Sequence, residues 1–365
     1  MKILHITATH LAPNGGIPVV LNNLAKEQSK LPGITVRVVS LSAPVNDFDP
    51  ALFLQVKQRQ FKFFVQQYQP DIAIFHGHFY VKYIRVAYIL RRLKVPYFIE
   101  PHGSFSRIAM QKSRIKKIIA HHVFFRSYIE HSAGFIFLNE GEKLKSVYKS
   151  NRNLIIPNGV KQILPTPRNI NMPTRFYFIG RYDKYYKGLD ILISALEILE
   201  QRAINLCIDF FLDDSRNLKK LVTKRVKHWY HVRISMHHAI HGKDKEQKLN
   251  GYGIMMLTSR SEGFPMTVLE ALSYGNPCLV TPGTNMSDEI EKNHLGWGCR
   301  LDENEIAQTM INAMEQYPVQ DYAFRCKKYI EKNYLWKNIA KNSVAQLKEV
   351  LDSVNGATNF SNENN

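Results

Sequence analysis

The chain is poor in cysteine, has no long apolar run, and carries few acidic residues in its first half. Its four cysteines, Cys207, Cys278, Cys299 and Cys326, form no CxxC pair. That argues against a paired-thiol metal site or redox motif, and Cys207 and Cys278 lie in apolar strand-like runs. Buried thiols in a reducing cytoplasm are expected. No run of eighteen apolar residues occurs, so no transmembrane helix is predicted. Met1-Lys-Ile-Leu-His enters a strand pattern directly and lacks a signal-peptide layout. There is no G-x-G-x-x-G either, and no acidic residue follows a second strand at dinucleotide spacing. An NAD-binding reading is therefore poor.

The shortage of acid is local. Residues 1–165 hold 23 Lys+Arg against 8 Asp+Glu, whereas residues 166–365 hold 26 against 23, within a total net charge of +18. Between Glu100 and Glu130 no acidic residue occurs, while Arg107, Lys112, Arg114, Lys116, Lys117 and Arg126 do. A field this one-sided attracts an anionic surface or substrate, although a solvated face explains such runs as well. From Ser113 to Ile129 apolar residues line one helical face, with Arg114, Lys117 and Arg126 elsewhere. This suits a helix resting on an anionic membrane, and equally a helix packed in a core.

What is present is a sufficient core, with 45% hydrophobic and 11% aromatic residues over 365 positions. That length accommodates two domains. Short apolar runs alternate with helical patterns. Strands are predicted at 2–8, 36–41, 71–75 and 97–100, and helices at 18–29, 52–67 and 81–93. The prolines of 157–173 mark a linker, after which strands are predicted at 175–179, 206–212, 232–236, 254–257 and 278–281. Helices are predicted at 189–201 and 266–274. Buried strands joined by helices imply doubly wound parallel sheets. The predicted fold class is α/β, with two Rossmann-like domains at 1–165 and 166–320 facing a cleft. A helical segment at 321–352 crosses back to the first domain, and an Asn- and Ser-rich tail at 353–365 is expected to be disordered.

Three loops in the second half suit one ligand. Ser261-Glu-Gly-Phe-Pro-Met-Thr-Val-Leu-Glu270 sets two carboxylates, Glu262 and Glu270, around a turn that opens a helix. Pro265 fits the first helical turn, and the exposed amides of the Gly-containing loop and helix N-terminus there favour an anion. In Gly180-Arg-Tyr-Asp-Lys-Tyr-Tyr-Lys-Gly188, Arg181 forks onto phosphate oxygens and Lys187 adds a point charge. Together they would neutralise a departing diphosphate. Thr281-Pro-Gly-Thr-Asn-Met286 is a third, individually weak, Gly-containing loop. In the first half, Gly15 and Gly16 open a helix where backbone can approach a ligand. His102, in Pro101-His-Gly-Ser-Phe105, follows a strand and is a candidate donor to a phosphate or sugar oxygen. Asp213-Asp214 is not a DxD metal motif. His237, His238 and His241 lack a fourth ligand at suitable spacing, so no metal site is expected.

In order and spacing these segments resemble the bacterial retaining glycosyltransferases of family 4, with the GT-B fold, over nearly the whole chain. The resemblance implies that Arg181 and Lys187 bind the diphosphate of a nucleotide-sugar donor. It implies that Glu270 holds the ribose and Glu262 the donor sugar, with Phe264, Pro265 and Met266 between them. His102 faces the sugar and acceptor side, so Glu262, His102, Arg181 and Lys187 carry the chemistry. The family retains anomeric configuration without a metal or cofactor. The implied acceptor is a saccharide, lipid-linked in surface polysaccharide synthesis, reached from the inner face of the plasma membrane through Lys112, Arg114, Lys116 and Lys117. One alternative within enzymes stays open, a sugar-phosphate synthase, and one outside them, a non-catalytic subunit or chaperone of a partner transferase. A nucleic-acid binder would explain the charge, but no binding motif accompanies it.

Overall fold

The structure, a computed structural model, describes residues 1–8, 16–42, 44–107, 110, 124–161, 175–225, 228–251, 253–317 and 321–362, with only the backbone of 354–362. Gly15, Lys112, Arg114, Lys116 and Lys117 lie outside the described residues, as does most of the linker. The chain divides into two compact units. Unit 1 comprises Met1–Gly159 and Trp336–Asn365, and unit 2 comprises Val160–Leu335.

Unit 1 contains strands β1 (Lys2–Thr7), β2 (Thr35–Ser40), β3 (Phe53–Gln55), β4 (Ile72–His76), β5 (Tyr97–Glu100), β6 (Gly134–Phe137) and β7 (Asn153–Ile155). They form one parallel sheet in the order β3-β2-β1-β4-β5-β6-β7. β4, β5 and β6 are buried along their whole length, as expected of strands covered by helices on both faces. Aromatic rings fill much of this core: Phe75 meets Tyr97 edge-on at 5.3 Å, and Tyr97 stacks on Tyr128 at 5.8 Å.

The helix predicted at 52–67 is instead strand β3 followed by a shorter helix, Phe61–Tyr68. A short apolar run is ambiguous between periods of 2 and 3.6, and here pairing with β2 decides, with Val38 opposite Phe53. Pro70 follows the helix, whose last turn closes on Gln69 in the left-handed region at φ 52°.

Unit 2 contains β8 (Arg175–Gly180), β9 (Leu206–Leu212), β10 (Val232–His238), β11 (Ile254–Leu257), β12 (Cys278–Val280) and β13 (Gly296–Gly298), again parallel, in the order β10-β9-β8-β11-β12-β13. Both sheets share the doubly wound pattern in which order reverses beside the first strand, between β1 and β4 and between β8 and β11. Ligands of such sheets bind outside the carboxyl ends of the strands at that reversal.

The helical stretch predicted from 321 is two helices, Tyr322–Asn333 in unit 2 and Trp336–Asn362 in unit 1. Unit 2 therefore extends to Leu335 and unit 1 resumes at Trp336, a boundary later than the one expected at 320/321. Tyr329 and Tyr334 both donate hydroxyl protons to Glu289, and the Tyr334 carbonyl accepts from the Val160 amide, which fixes the break between the helices. The second helix packs on Gly16–Ser29. Its backbone is helical to Asn362, where a disordered tail was expected.

Candidate functional site

Strand β8 ends at Gly180, and the loop that follows is tightly specified. The Tyr182 amide donates to Asp213 and the Tyr186 amide to Asp183. Gly188 closes the loop at φ 63° and caps the helix Leu189–Gln201. A Cβ there would lie 2.0 Å from the Thr258 carbonyl oxygen, so only glycine permits this approach to the end of β11. Arg260 clamps the two segments together. Its guanidinium forks onto Asp190 at 2.7 and 2.9 Å, donates to the Tyr185 carbonyl, and lies over the Tyr185 ring at 4.5 Å. Arg181 is exposed and has no hydrogen-bond or ion-pair partner among the described residues.

This frame brings Lys187 to Glu262. Lys187 Nζ donates to Glu262 Oε1 at 2.6 Å, and Ser259 Oγ donates to the same oxygen at 2.6 Å. The Thr281–Met286 loop lies directly behind. Its Gly283 carbonyl accepts from the Glu262 amide, and Asn285, in the left-handed region at φ 61°, donates its side-chain amide to the carbonyls of Glu262 and Gly263. A Cβ on Gly283 would lie 2.0 Å from the Ser259 carbonyl oxygen. The loop that was weakest as a motif thus holds the first carboxylate in place.

Glu270 stands in the helix Met266–Ser273, where Lys245 Nζ donates to its Oε2. Pro265 is not the first helical residue but the cap, extended at φ −80° and ψ 103°. A proline cap offers no side-chain acceptor, so the amides of Met266 and Thr267 have no partner among the described residues. Phe264 turns its side chain into the unit, against the Tyr334 ring at 5.7 Å, and contributes packing. Arg181, Lys187, Glu262, Gly263, Met266, Thr267 and Glu270 therefore belong to one rim at the carboxyl ends of β8 and β11. Sequence reasoning missed Lys245, Asp190, Ser259 and Arg260. Arg260 and Lys245 meet partners 70 and 25 residues away, which no local spacing relates.

Unit 1 carries a second cluster at the equivalent place. His76 ends β4, Glu100 ends β5, and His102 follows in a turn at φ 49°. Their donor atoms converge: His76 Nδ1 lies 3.2 Å from Glu100 Oε2 and 3.1 Å from His102 Nε2, and His102 Nε2 lies 3.5 Å from Glu100 Oε1. Glu142 fixes the turn by accepting from the amides of Gly103 and Leu138. Burial pulls His5 and His102 down to about 4, and burial with the neighbouring imidazoles holds His76 well below the usual histidine range. Burial and then the Glu142 charge push Glu100 up. Among the described residues this is the one group of three or more His, Cys, Asp or Glu side chains spaced to hold a metal ion. His237 instead stacks on Phe211 and pairs with Asp209 in unit 2. Gly16 opens the helix Gly16–Ser29 with nothing within 4 Å of a Cβ, so packing against the described residues does not require glycine there.

Two doubly wound parallel domains, the second with a mixed cationic and carboxylate rim, define a GT-B architecture. Residues 161–333 match the sequence profile of the family described as Glycosyl transferases group 1. A stretch of 128 residues is 30% identical to the lipopolysaccharide 1,6-galactosyltransferase of Salmonella typhimurium, covering 34% of each chain. The chain spans about a third of the length of the curated relatives it matches, 34% and 30%. Two solved structures share the fold over almost the whole chain. Sucrose-phosphate synthase from Thermosynechococcus elongatus gives a TM-score of 0.73 at 13% identity, covering 97% of this chain and 100% of that one. Anabaena HepE in complex with UDP gives 0.69 at 14% identity, covering 96% and 100%.

Proposed function

We propose that this protein is a retaining, metal-independent glycosyltransferase of family 4 that moves a sugar from a nucleotide diphosphate, a UDP-sugar by preference, to a saccharide acceptor. The observation that carries the reading is the rim of unit 2, where unpartnered Arg181 follows β8, the Lys187–Glu262 pair joins the loops after β8 and β11, and Glu270 stands on the helix that opens at Met266. Negative charge grows on the diphosphate as the glycosidic bond breaks, and Arg181 and Lys187 supply fixed positive charge there. The half-helix amides of Met266 and Thr267 add to it. Glu270 accepts ribose hydroxyls through Oε1 while Lys245 holds Oε2. Glu262 accepts sugar hydroxyls and balances positive charge at the anomeric carbon. His102 donates to a sugar or acceptor oxygen through Nδ1, which has no partner among the described residues.

The match of residues 161–333 to group 1 glycosyltransferases supports this assignment, and the UDP complex of a protein of the same fold supports the donor class. The similarity to a lipopolysaccharide galactosyltransferase supports a lipid-linked saccharide acceptor. The protein then works at the inner face of the plasma membrane, with Lys112, Arg114, Lys116 and Lys117 on anionic lipid. The test is a thermal-shift screen of nucleotide sugars followed by a transfer assay. A true donor raises Tm by mass action. Stabilisation by GDP-sugars alone would remove the UDP preference, and transfer that survives alanine at both Arg181 and Lys187 would sink the assignment.

A further inference from the structure

The cluster at the strand ends of unit 1 is not used by the donor chemistry, and its hydrogen bonds have a direction that can be followed. Ser343 Oγ donates to the Ala340 carbonyl at 2.8 Å, so it accepts from Gln28 Nε2 at 3.0 Å. Gln28 Oε1 then accepts from His5 Nε2 at 2.9 Å. A neutral His5 that donates through Nε2 can only accept through Nδ1, which lies 2.8 Å from His76 Nε2. His76 must therefore carry its proton on Nε2. Its Nδ1 presents a bare lone pair towards Glu100 and His102.

Three electron-pair donors thus meet in a buried place: His76 Nδ1, the Glu100 carboxylate and His102 Nε2. His76 Nδ1 and His102 Nε2 lie 3.1 Å apart, and each faces a different oxygen of the Glu100 carboxylate, at 3.2 and 3.5 Å, a spacing of 3.1–3.5 Å throughout. That is the edge of a tetrahedron with bonds of about 2.0–2.1 Å, the zinc–nitrogen and zinc–oxygen distance. Among the described residues no Lys or Arg pairs with Glu100. Its ion-pair contacts among the described residues are the two imidazoles alone, so no fixed cation offsets a charge on this buried group. The chain from His76 through His5 and Gln28 to Ser343 is an outer shell that orients a ligand imidazole and fixes its tautomer. The turn at His102, held by Glu142, presets the third donor.

We propose that His76, Glu100 and His102 bind one zinc ion, with a water molecule in the fourth position. The ion ties the ends of β4 and β5 to the His102 turn. It also leaves His102 protonated on Nδ1, the atom that must donate. A proton shared between Glu100 and the imidazoles is the competing occupant, and binding zinc displaces it.

The test uses the full chain, stripped with a chelator and titrated with Zn²⁺ against a chromophoric competitor. About one tight equivalent per chain is expected. Glu100→Gln and His76→Ala should abolish it, and Gln28→Leu, which leaves all three donors in place, should weaken it about 10–100-fold. Tm with and without Zn²⁺ separates lost binding from lost folding. If the ligand variants do not fold, a Co²⁺ spectrum of the wild type indicating nitrogen and oxygen ligation in low coordination still supports the site. A wild-type chain that fails to compete for Zn²⁺ overturns the proposal, as does tight binding unchanged in folded Glu100→Gln and His76→Ala. Neither result touches the donor site in unit 2.

Discussion

In unit 2 the strand ends carry opposite charges at partly exposed positions, Lys187 against Glu262 and Lys245 against Glu270. In unit 1 the ends at the same topological place carry neutral imidazoles, His76 buried and His102 slightly exposed, around a raised carboxyl. Six strands follow the same order in both, with β7 added in unit 1, so the sheet specifies where a site forms and not what it binds. The lysines of unit 2 are partly exposed and each is paired with a carboxylate, because burying such charges unpaired would cost several kcal/mol each. Imidazoles pay far less to be buried neutral, which lets unit 1 converge three donors in its interior.

Four experiments break or sharpen that contrast. The largest effect belongs to unit 2: Arg181→Ala combined with Lys187→Ala should lower kcat by about 10³-fold or more in a transfer assay. Chelation of a metal bound to unit 1 should cost far less than this, and an equal loss would erase the distinction between the two rims. Next comes backbone placement. Gly188→Ala must adopt a left-handed φ and push 2.0 Å from a carbonyl, so the urea midpoint should fall by the equivalent of about 2–4 kcal/mol. Gly16→Ala in unit 1 meets no atom within 4 Å and should change stability by less than about 0.5 kcal/mol. Glu270→Gln keeps the shape but weakens acceptance from ribose hydroxyls. The donor KM should rise about tenfold with kcat nearly unchanged. The smallest effect lies in the basic first half, where neutralising Lys116 or Lys117 should each weaken binding to anionic vesicles about fivefold, the equivalent of about 1 kcal/mol. Unchanged binding would make that charge a solvated face.

Much of the fold was legible because its strands are short, apolar and punctuated. β5, β9 and β11, with the helix Leu189–Gln201, fall where the pattern predicts them. β3 was misread as helix because three residues of edge strand have too little period to declare themselves. The break at Tyr334 was invisible for a different reason: no Gly or Pro marks it, and a hydrogen bond to Glu289, 45 residues away, sets it. In the site, Arg181, Lys187, Glu262 and Glu270 stood out as charged residues beside Gly-rich turns at strand ends. Arg260 and Lys245 did not, since each acts on a partner 70 or 25 residues away.

From local pattern alone came the α/β alternation, the charged loops after β8 and β11, and the glycines that let those loops turn. These rest on dihedral preference and hydrophobic period, which act over a few residues. Tertiary structure decided which carboxylate each lysine meets, the placement of Asn285 behind Glu262, and the convergence of His76, Glu100 and His102. Those contacts depend on the order of strands in the sheet. A parallel sheet brings strand ends together across long stretches of chain, and the sequence between them carries no local trace of the meeting.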